Sequence, residues 1–559
     1  MTAAAQRRSP DVVMRLDRMG SFHQCRLSFM RVLLRRLKRE AWTFERSRFD
    51  IDADGVGTAL YTAHGPYRSY TLVAFGHDLP ADQRSDRVIA TAWDTTFALH
   101  DGIPTDADVE RLRANVPLQE AGQITETELT LSRANRSVRL FSHVVEALAA
   151  GKQPDVDLVD RVGYLMRTTA VYGSGKFGAA DRSSIAGRIE FTAPFQVEML
   201  TVYLIRTFVM DLVEHLAALR SPDAAKLDPV VRRRCGIGNS TGLGMAPFLL
   251  THPRLINKWI TAREEAIARV RNVERASLKE IAQFNAYVQR ARHTVDLWSS
   301  EHPLQQQKLT ELERDIDELV NYLGTRVLTS LRPWDALLGW SSETLSLEGQ
   351  ELVASLILEP YGELVDDLEA TMHADESKPV RIDGSLSIDQ VRKKLCVAYR
   401  WALDIDWQDP VTDARAWYVS EEKLEPRLGE RRAESLDEYE QPLQPGRDAA
   451  RMFVALESWP NDLALADFLR AHPEHRHTAR RLQMVQNAPY GEIRDNTIST
   501  NLLPIDLLRA KLSFFGATRF DPRSDRWVRI NMFTGAPFPE ELAASDADLW
   551  TYPDATTAA

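Results

Sequence analysis

The stretch Arg232-Arg233-Arg234-Cys235-Gly236-Ile237-Gly238-Asn239-Ser240-Thr241-Gly242-Leu243-Gly244-Met245-Ala246-Pro247 places four glycines within nine residues. It reads as a loop. Glycine admits positive φ and lets backbone N–H groups approach a ligand, and no strand-like run precedes the first glycine. A helix is expected after Pro247 or Pro253, so an anion is expected on a run of backbone amides at its start. Asn239, Ser240 and Thr241 add side-chain donors, and Arg234 adds charge. With a loop here, residues 104–325 read as one helical body.

A second glycine-rich segment lies upstream: Tyr172-Gly173-Ser174-Gly175-Lys176-Phe177-Gly178-Ala179-Ala180-Asp181-Arg182. Lys176 and Arg182 are expected to pair with a carboxylate or phosphate. The two segments flank one apolar helix over 193–220, and their convergence on one pocket is the main reason to expect a site. Neither segment is a Walker A loop, because no Gly-Lys-Ser/Thr follows. The stretch from Gly236 does not match the dinucleotide fingerprint, since Thr241 stands where its third glycine belongs and no strand-like run precedes it. Cys235, after three arginines and before several amides, is a candidate nucleophile, because that setting lowers a thiol pKa. The stretch 238–247 resembles, over about ten residues, the Gly-Ser-Ser-x-Met-Pro-x-Lys loop of the fumarase/aspartase lyases. The second serine, the Met-Pro pair and the lysine are absent here, so no residue role is carried over.

Downstream, 254–323 is dense in Glu, Lys, Arg and Ala. It reads as two long helices, 254–299 and 303–323, joined near Ser299-Ser300-Glu301. Leu309, Leu312, Ile316, Leu319 and Leu323 form a stripe spaced by three and four, suited to a hairpin or to a contact with a second copy. Upstream, 48–100 is rich in β-formers at 58–62, 70–75 and 88–97, with glycines and prolines between them, and reads as a small sheet. Segments 125–150 and 155–170 carry helical patterns. Residues 1–50 hold twelve Lys and Arg against five Asp and Glu, with Leu27, Met30, Leu34 and Leu37 at helical spacing. This is a basic amphipathic helix, read as docked on an acidic body. Near the C-terminus, 527–533 reads as a strand, and 487–496 as a polar loop linking elements.

The expected fold is therefore α-rich α+β: a small N-terminal antiparallel sheet, a central helical body with a long helical hairpin, and a mixed α/β C-terminal region. The divisions expected are 1–47, 48–103, 104–325, 326–448 and 449–559.

The 559 residues are 44% apolar and 27% charged, with a net charge of -11. That is an ordinary globular composition, and the acidic balance disfavours nucleic acid as a partner. Three widely spaced cysteines, Cys25, Cys235 and Cys396, point to a reducing compartment and hence to the cytoplasm. No apolar run reaches the ~18–20 residues of a membrane span. No metal site is expected: there is no HExxH, no EF-hand loop and no paired Glu-x-x-His, and the run His472-Pro473-Glu474-His475-Arg476-His477 reads as a solvated loop. The sequence identifies no cofactor. The expectation is a cytoplasmic enzyme of lyase or acyl-transfer type. It acts on a small anionic metabolite held by Lys176, Arg182, Arg234, Asn239, Ser240 and Thr241, in a chain that pairs with itself. The alternative is a non-catalytic assembly protein that uses the hairpin and the basic helix.

Overall fold

The computed structural model describes all residues except 1–4, 16–17, 19–22, 84–91, 117–126, 173–184, 186, 243–252, 326–327, 373–382, 410–417, 420–425, 428–443, 493–512, 518, 525–526, 547 and 553–559.

The sheet is neither small nor confined to the N-terminus, which corrects the sequence reading. Among the described residues it has nine strands. Seven follow in chain order: β1 (Thr43–Ile51), β2 (Gly57–His64), β3 (Ser69–Gly76), β4 (Thr95–Asp101), β5 (Glu128–Arg136), β6 (Tyr164–Tyr172) and β7 (Gly236–Gly242). A separate pairing joins β8 (Tyr418–Val419) to β9 (Pro426–Arg427). The large sheet is completed by β10 (Arg519–Ser524) and β11 (Trp527–Met532), with β11 lying against β7.

Two of these strands fall where helix was expected, and a third where a loop was expected. Within 125–150 the chain forms β5 and only then a helix. Within 155–170 a short helix is stopped by Gly163, whose left-handed φ of 73° permits the turn into β6. The stretch read as a glycine loop is β7. It has little intrinsic strand propensity and is held by a neighbour on each side, β6 and β11. Tertiary pairing overrides propensity here.

The helices that position the site are α1 (Phe29–Arg39), α2 (Asp106–Asn115), α3 (Phe141–Ala149), α4 (Val156–Val162), α5 (Gln196–Arg220) and α6 (Pro229–Arg234). α5 lies on the sheet face that presents Ala59, Tyr61, Leu72, Ala74, Phe97 and Leu99, and eighteen of its residues are buried. The opposite face packs Leu60, Val73, Phe75, Ala98 and Leu131 against Val109 and Leu112 of α2.

A helical layer follows: α7 (Pro253–Arg271), α8 (Leu278–Leu297), α9 (Pro303–Thr325), α10 (Pro333–Thr344) and α11 (Leu347–Leu356). The long helix expected over 254–299 is two helices. Ser277 caps α8 reciprocally with Glu280, a Ser-x-x-Glu box that fixes a helix start. The stripe Leu309, Leu312, Ile316 and Leu319 is buried in the chain's own core. α12 (Ile388–Ala398), α13 (Gln444–Glu457), α14 (Leu465–Ala471) and α15 (Arg476–Asn487) enclose a second core around Leu395, Met452 and Phe468.

The basic N-terminal helix is docked, as its apolar stripe implied. Its arginines face buried acids: Arg31 donates to both oxygens of Glu359 (2.7 and 2.6 Å), and Arg35 donates to Asp548 (3.1 Å). Just ahead of the helix, Arg26 makes a fork with Asp366 (2.8 and 2.9 Å). Among the described residues no helix is long and apolar enough to cross a membrane.

Candidate functional site at the ends of a parallel strand pair

β6 and β7 are the only parallel pair among the strands of the described residues. Parallel neighbours need a long crossover, and here α5 and α6 supply it. Arg167 stands opposite Gly238, and Thr168 opposite Asn239. β6 ends at Tyr172 and β7 at Gly242, so both chains leave the sheet at the same end. Each runs directly into a glycine-rich segment, Gly173 onward and Leu243 onward. Lys176 and Arg182 lie outside the described residues.

α5 begins at that same end. Thr201 Oγ1 is 2.7 Å from Thr130 Oγ1, and Thr130 adjoins Leu131, which pairs with Tyr172. Further along the helix, the Arg206 Nε donates to the carbonyl of Cys235, just ahead of β7 (2.9 Å). The helix therefore runs antiparallel to β6 and β7, with its first turn over their C-terminal ends. Among the described residues no side chain caps its N-terminus, which follows Phe195 at a left-handed φ of 59°. The amides of a first turn carry partial positive charge.

A polar layer lies between this turn and the sheet. The Asn239 amide donates to the Thr168 hydroxyl (3.1 Å), and Thr168 is fully buried. Glu198, one turn ahead of Thr201 on the same helix face, is 3% exposed. Two separate polar pairs therefore lie along this face: Thr130 with Thr201 at the level of the end of β6, and Thr168 with Asn239 at mid-strand, where Thr168 stands opposite Ala134. Groups of these types can hold the oxygens of an anion and move a proton, since a hydroxyl and an amide donate and a carboxyl group exchanges. The reading from sequence missed Thr168, Glu198 and Thr201. The signal for the last two was present: Glu198 and Thr201, three apart, interrupt an otherwise apolar helix face.

The expected site residues are spread along β7, with Arg234 just ahead of it, Asn239 at its centre and Ser240 and Thr241 beyond. Asn239 belongs to the polar layer. Ser240 and Thr241 are ladder residues, opposite Arg529 and Val528. Where β7 is paired on both sides its amides enter the sheet and form no open anion nest. Its glycines make room for neighbours: a Cβ on Gly238 would lie 2.6 Å from the Tyr164 ring, and one on Gly236 would lie 2.5 Å from the Met532 carbonyl. Arg234 stands at the other end, ahead of β7, and pairs with Asp160 (2.6 Å). The seven residues of β7 separate the two ends by roughly 20 Å at strand rise. Cys235 is buried, and burial pushes its thiol up to about 12, with the Arg206 guanidinium pulling weakly the other way. At neutral pH it is a thiol, which is a poor nucleophile.

The segment from Asn487 joins elements. The Tyr490 hydroxyl donates to the Arg8 carbonyl (2.5 Å), and Glu492 accepts two hydrogen bonds from Arg481 (2.7 and 2.9 Å). His472, in the histidine run, stacks on Phe468 with ring centroids 4.9 Å apart and bonds Glu474 (3.0 Å).

No family model matches this chain, and no curated protein or solved structure matches it. The lyase-like stretch 238–247 begins inside β7 and continues outside the described residues, so that resemblance rests on local sequence alone.

Proposed function

We propose that this protein is a cytoplasmic enzyme that binds a small anionic metabolite at the C-terminal ends of β6 and β7. One observation carries the reading: the parallel register of Thr168 with Asn239, which starts both glycine-rich segments from one end of the sheet, beside the uncapped first turn of α5. The Asn239 amide and the Thr168 hydroxyl are the donors on the sheet, and the first-turn amides of α5 add partial positive charge. Lys176, in the sequence that follows β6, is proposed as a further donor. Glu198 takes the proton-transfer role, as the carboxyl group of the layer. Proton abstraction next to a carboxylate, with lyase or acyl-transfer outcome, suits this donor set.

The assembly reading has less to stand on. Its interface stripe is buried within the chain and its basic helix is docked.

The test is a thermal-shift screen of the full chain against carboxylates, sugar phosphates, nucleotides and CoA esters, with Lys176→Ala, Asn239→Ala and Glu198→Gln in parallel. A ligand at a hundredfold its Kd adds about 2.7 kcal/mol, enough to raise the Tm visibly. The reading expects one anionic class to stabilise the wild type, Lys176→Ala and Asn239→Ala to lose the response, and Glu198→Gln to keep binding. No stabilisation by any class, with variants that fold normally, would end it.

A further inference from the structure

The opposite end of the same strands opens onto a cleft of about 1120 Å³, somewhat above the roughly 300–1,000 Å³ of most small-molecule sites. α4 and α6 form one wall, the C-terminal half of α8 forms the other, and the segment from Thr534 to Thr551 forms the floor. We propose that this cleft binds an amphipathic monocarboxylate, a carboxylate on an apolar chain or ring, at a site separate from the strand-end site above.

Three observations carry the proposal. First, the walls expose apolar side chains to the cleft instead of burying them. Leu297 is 66% exposed, Val230 42% and Leu549 41%, and they come from both walls and the floor. Leaving that much apolar surface in a concavity costs free energy unless a ligand covers it. Second, the Trp550 indole N–H is a donor that no described residue accepts, on a floor residue only 5% exposed. A buried donor of this kind calls for an acceptor on the ligand.

Third, several of the acids that line the cleft are already engaged: Asp155 caps α4, Asp160 holds Arg234, Glu541 accepts from Arg233 and Asp546 accepts from the Asp548 amide. The wall formed by α8 presents donors. Arg290 gives hydrogen bonds to the carbonyls of Leu549 and Tyr552, fixing the floor (3.2 Å each). One turn on, the half-buried imidazole of His293 has no partner among the described residues. Arg290, His293 and Leu297 lie on one face of α8, at spacings of three and four, so one helix presents cation, imidazole and apolar surface in sequence along the cleft. A carboxylate head near Arg290, His293 and the indole N–H places its apolar body on Leu297, Val230 and Leu549.

The experiment is calorimetric titration of octanoate, octanol and octylamine into the full chain, repeated with Leu297→Asp, Val230→Asp, Trp550→Phe and Asn239→Ala. Leu297 and Val230 stand on opposite walls and are both exposed, so each can carry an aspartate without disturbing the core, and either one suffices if the other variant misfolds. The expected result is octanoate binding at least tenfold tighter than octanol or octylamine. It is weakened at least tenfold by either aspartate, weakened by Trp550→Phe, and unchanged by Asn239→Ala. Equal or tighter binding of octylamine, full binding by both aspartate variants, or no octanoate binding at millimolar concentration would overturn the proposal. Loss of octanoate binding in Asn239→Ala alone would move the ligand to the other end of the strands and overturn it as well. Because Asn239 reports the strand-end site and Leu297 the cleft, either reading can fail without the other.

Discussion

The side-chain amide of Asn239 donates to the hydroxyl of Thr168, 3.1 Å away, across the parallel junction of β7 with β6. These two residues are 71 apart in sequence, and the chain between them includes the crossover helix α5. Their pairing puts the two glycine-rich segments side by side at their origins and separates Asn239 from Arg234, five residues earlier in the chain.

The close packing of Tyr164 on Gly238 makes a stability prediction. No positive φ is required at Gly238, so the penalty for a side chain there is steric: a Cβ would meet the Tyr164 ring at 2.6 Å. Gly238→Ala should cost about 1–3 kcal/mol in chemical denaturation, as overpacking does. In a Tyr164→Ala background the added cost should shrink below about 0.5 kcal/mol, the signature of coupled neighbours. Additive costs would mean that the ring and the glycine are not in contact.

Glu351 predicts an acid limb. It lies buried against Arg8 (2.7 Å) and Arg263. Burial alone pushes its carboxyl up, but Arg8 and then Arg263 outweigh burial and hold it at about 2, against an ordinary value of 4.5. A folded value below the unfolded one means that the stabilisation is complete above about pH 4.5 and is lost as pH falls from there towards 2. Denaturation midpoints of the wild type should fall through that window, and those of Glu351→Gln should fall less steeply. At neutral pH the variant should be about 3–5 kcal/mol less stable, because Arg263 loses its buried counter-charge and Arg8 keeps only Glu264. Parallel pH profiles for the two proteins would contradict this role.

Thiol labelling tests the placement of Cys235. Cys25 and Cys235 are buried, and burial pushes both thiols up, whereas Cys396 is exposed. Iodoacetamide at pH 8 should modify the native protein at Cys396 and spare the other two, as read by peptide mass spectrometry. All three should react in denaturant. Rapid labelling of Cys235 in the native state would restore it as a nucleophile.

Much of the secondary structure was legible where pattern and propensity agree. β2 and β3 follow from β-branched and aromatic runs between glycines, β11 from 527–533, and α5 from its apolar length. The size of the sheet was not legible, for a physical reason that differs from strand to strand. β7 is built from Gly-Ile-Gly-Asn-Ser-Thr-Gly, a composition that signals a loop, because its stability comes from two neighbours remote in sequence. β6 reads as helix because Tyr-Leu-Met-Arg-Thr-Thr-Ala-Val-Tyr lacks clean apolar/polar alternation, and Gly163 alone marks the change. The break at Ser277 was readable as a capping box and was masked by the helical composition on either side. For the site, Asn239 was picked out by its side chain. Its partner Thr168 and the acid Glu198 were not, because nothing local connects a strand threonine to a helix carboxyl group. Arg234 looked like their neighbour only because a loop folds back on itself, while a strand carries its two ends apart.

Isothermal titration of the anion class found in the thermal screen, into wild type, Asn239→Ala and Arg234→Ala, tests the strand-end site most directly. A lost hydrogen bond to a charged ligand is worth about 1.5–3 kcal/mol, or roughly ten- to a hundredfold in Kd. The predicted result is that loss in Asn239→Ala and an unchanged Kd in Arg234→Ala, on the far end of the strand. Weakening by Arg234→Ala with Asn239→Ala unaffected would contradict it and place the anion at the beginning of β7.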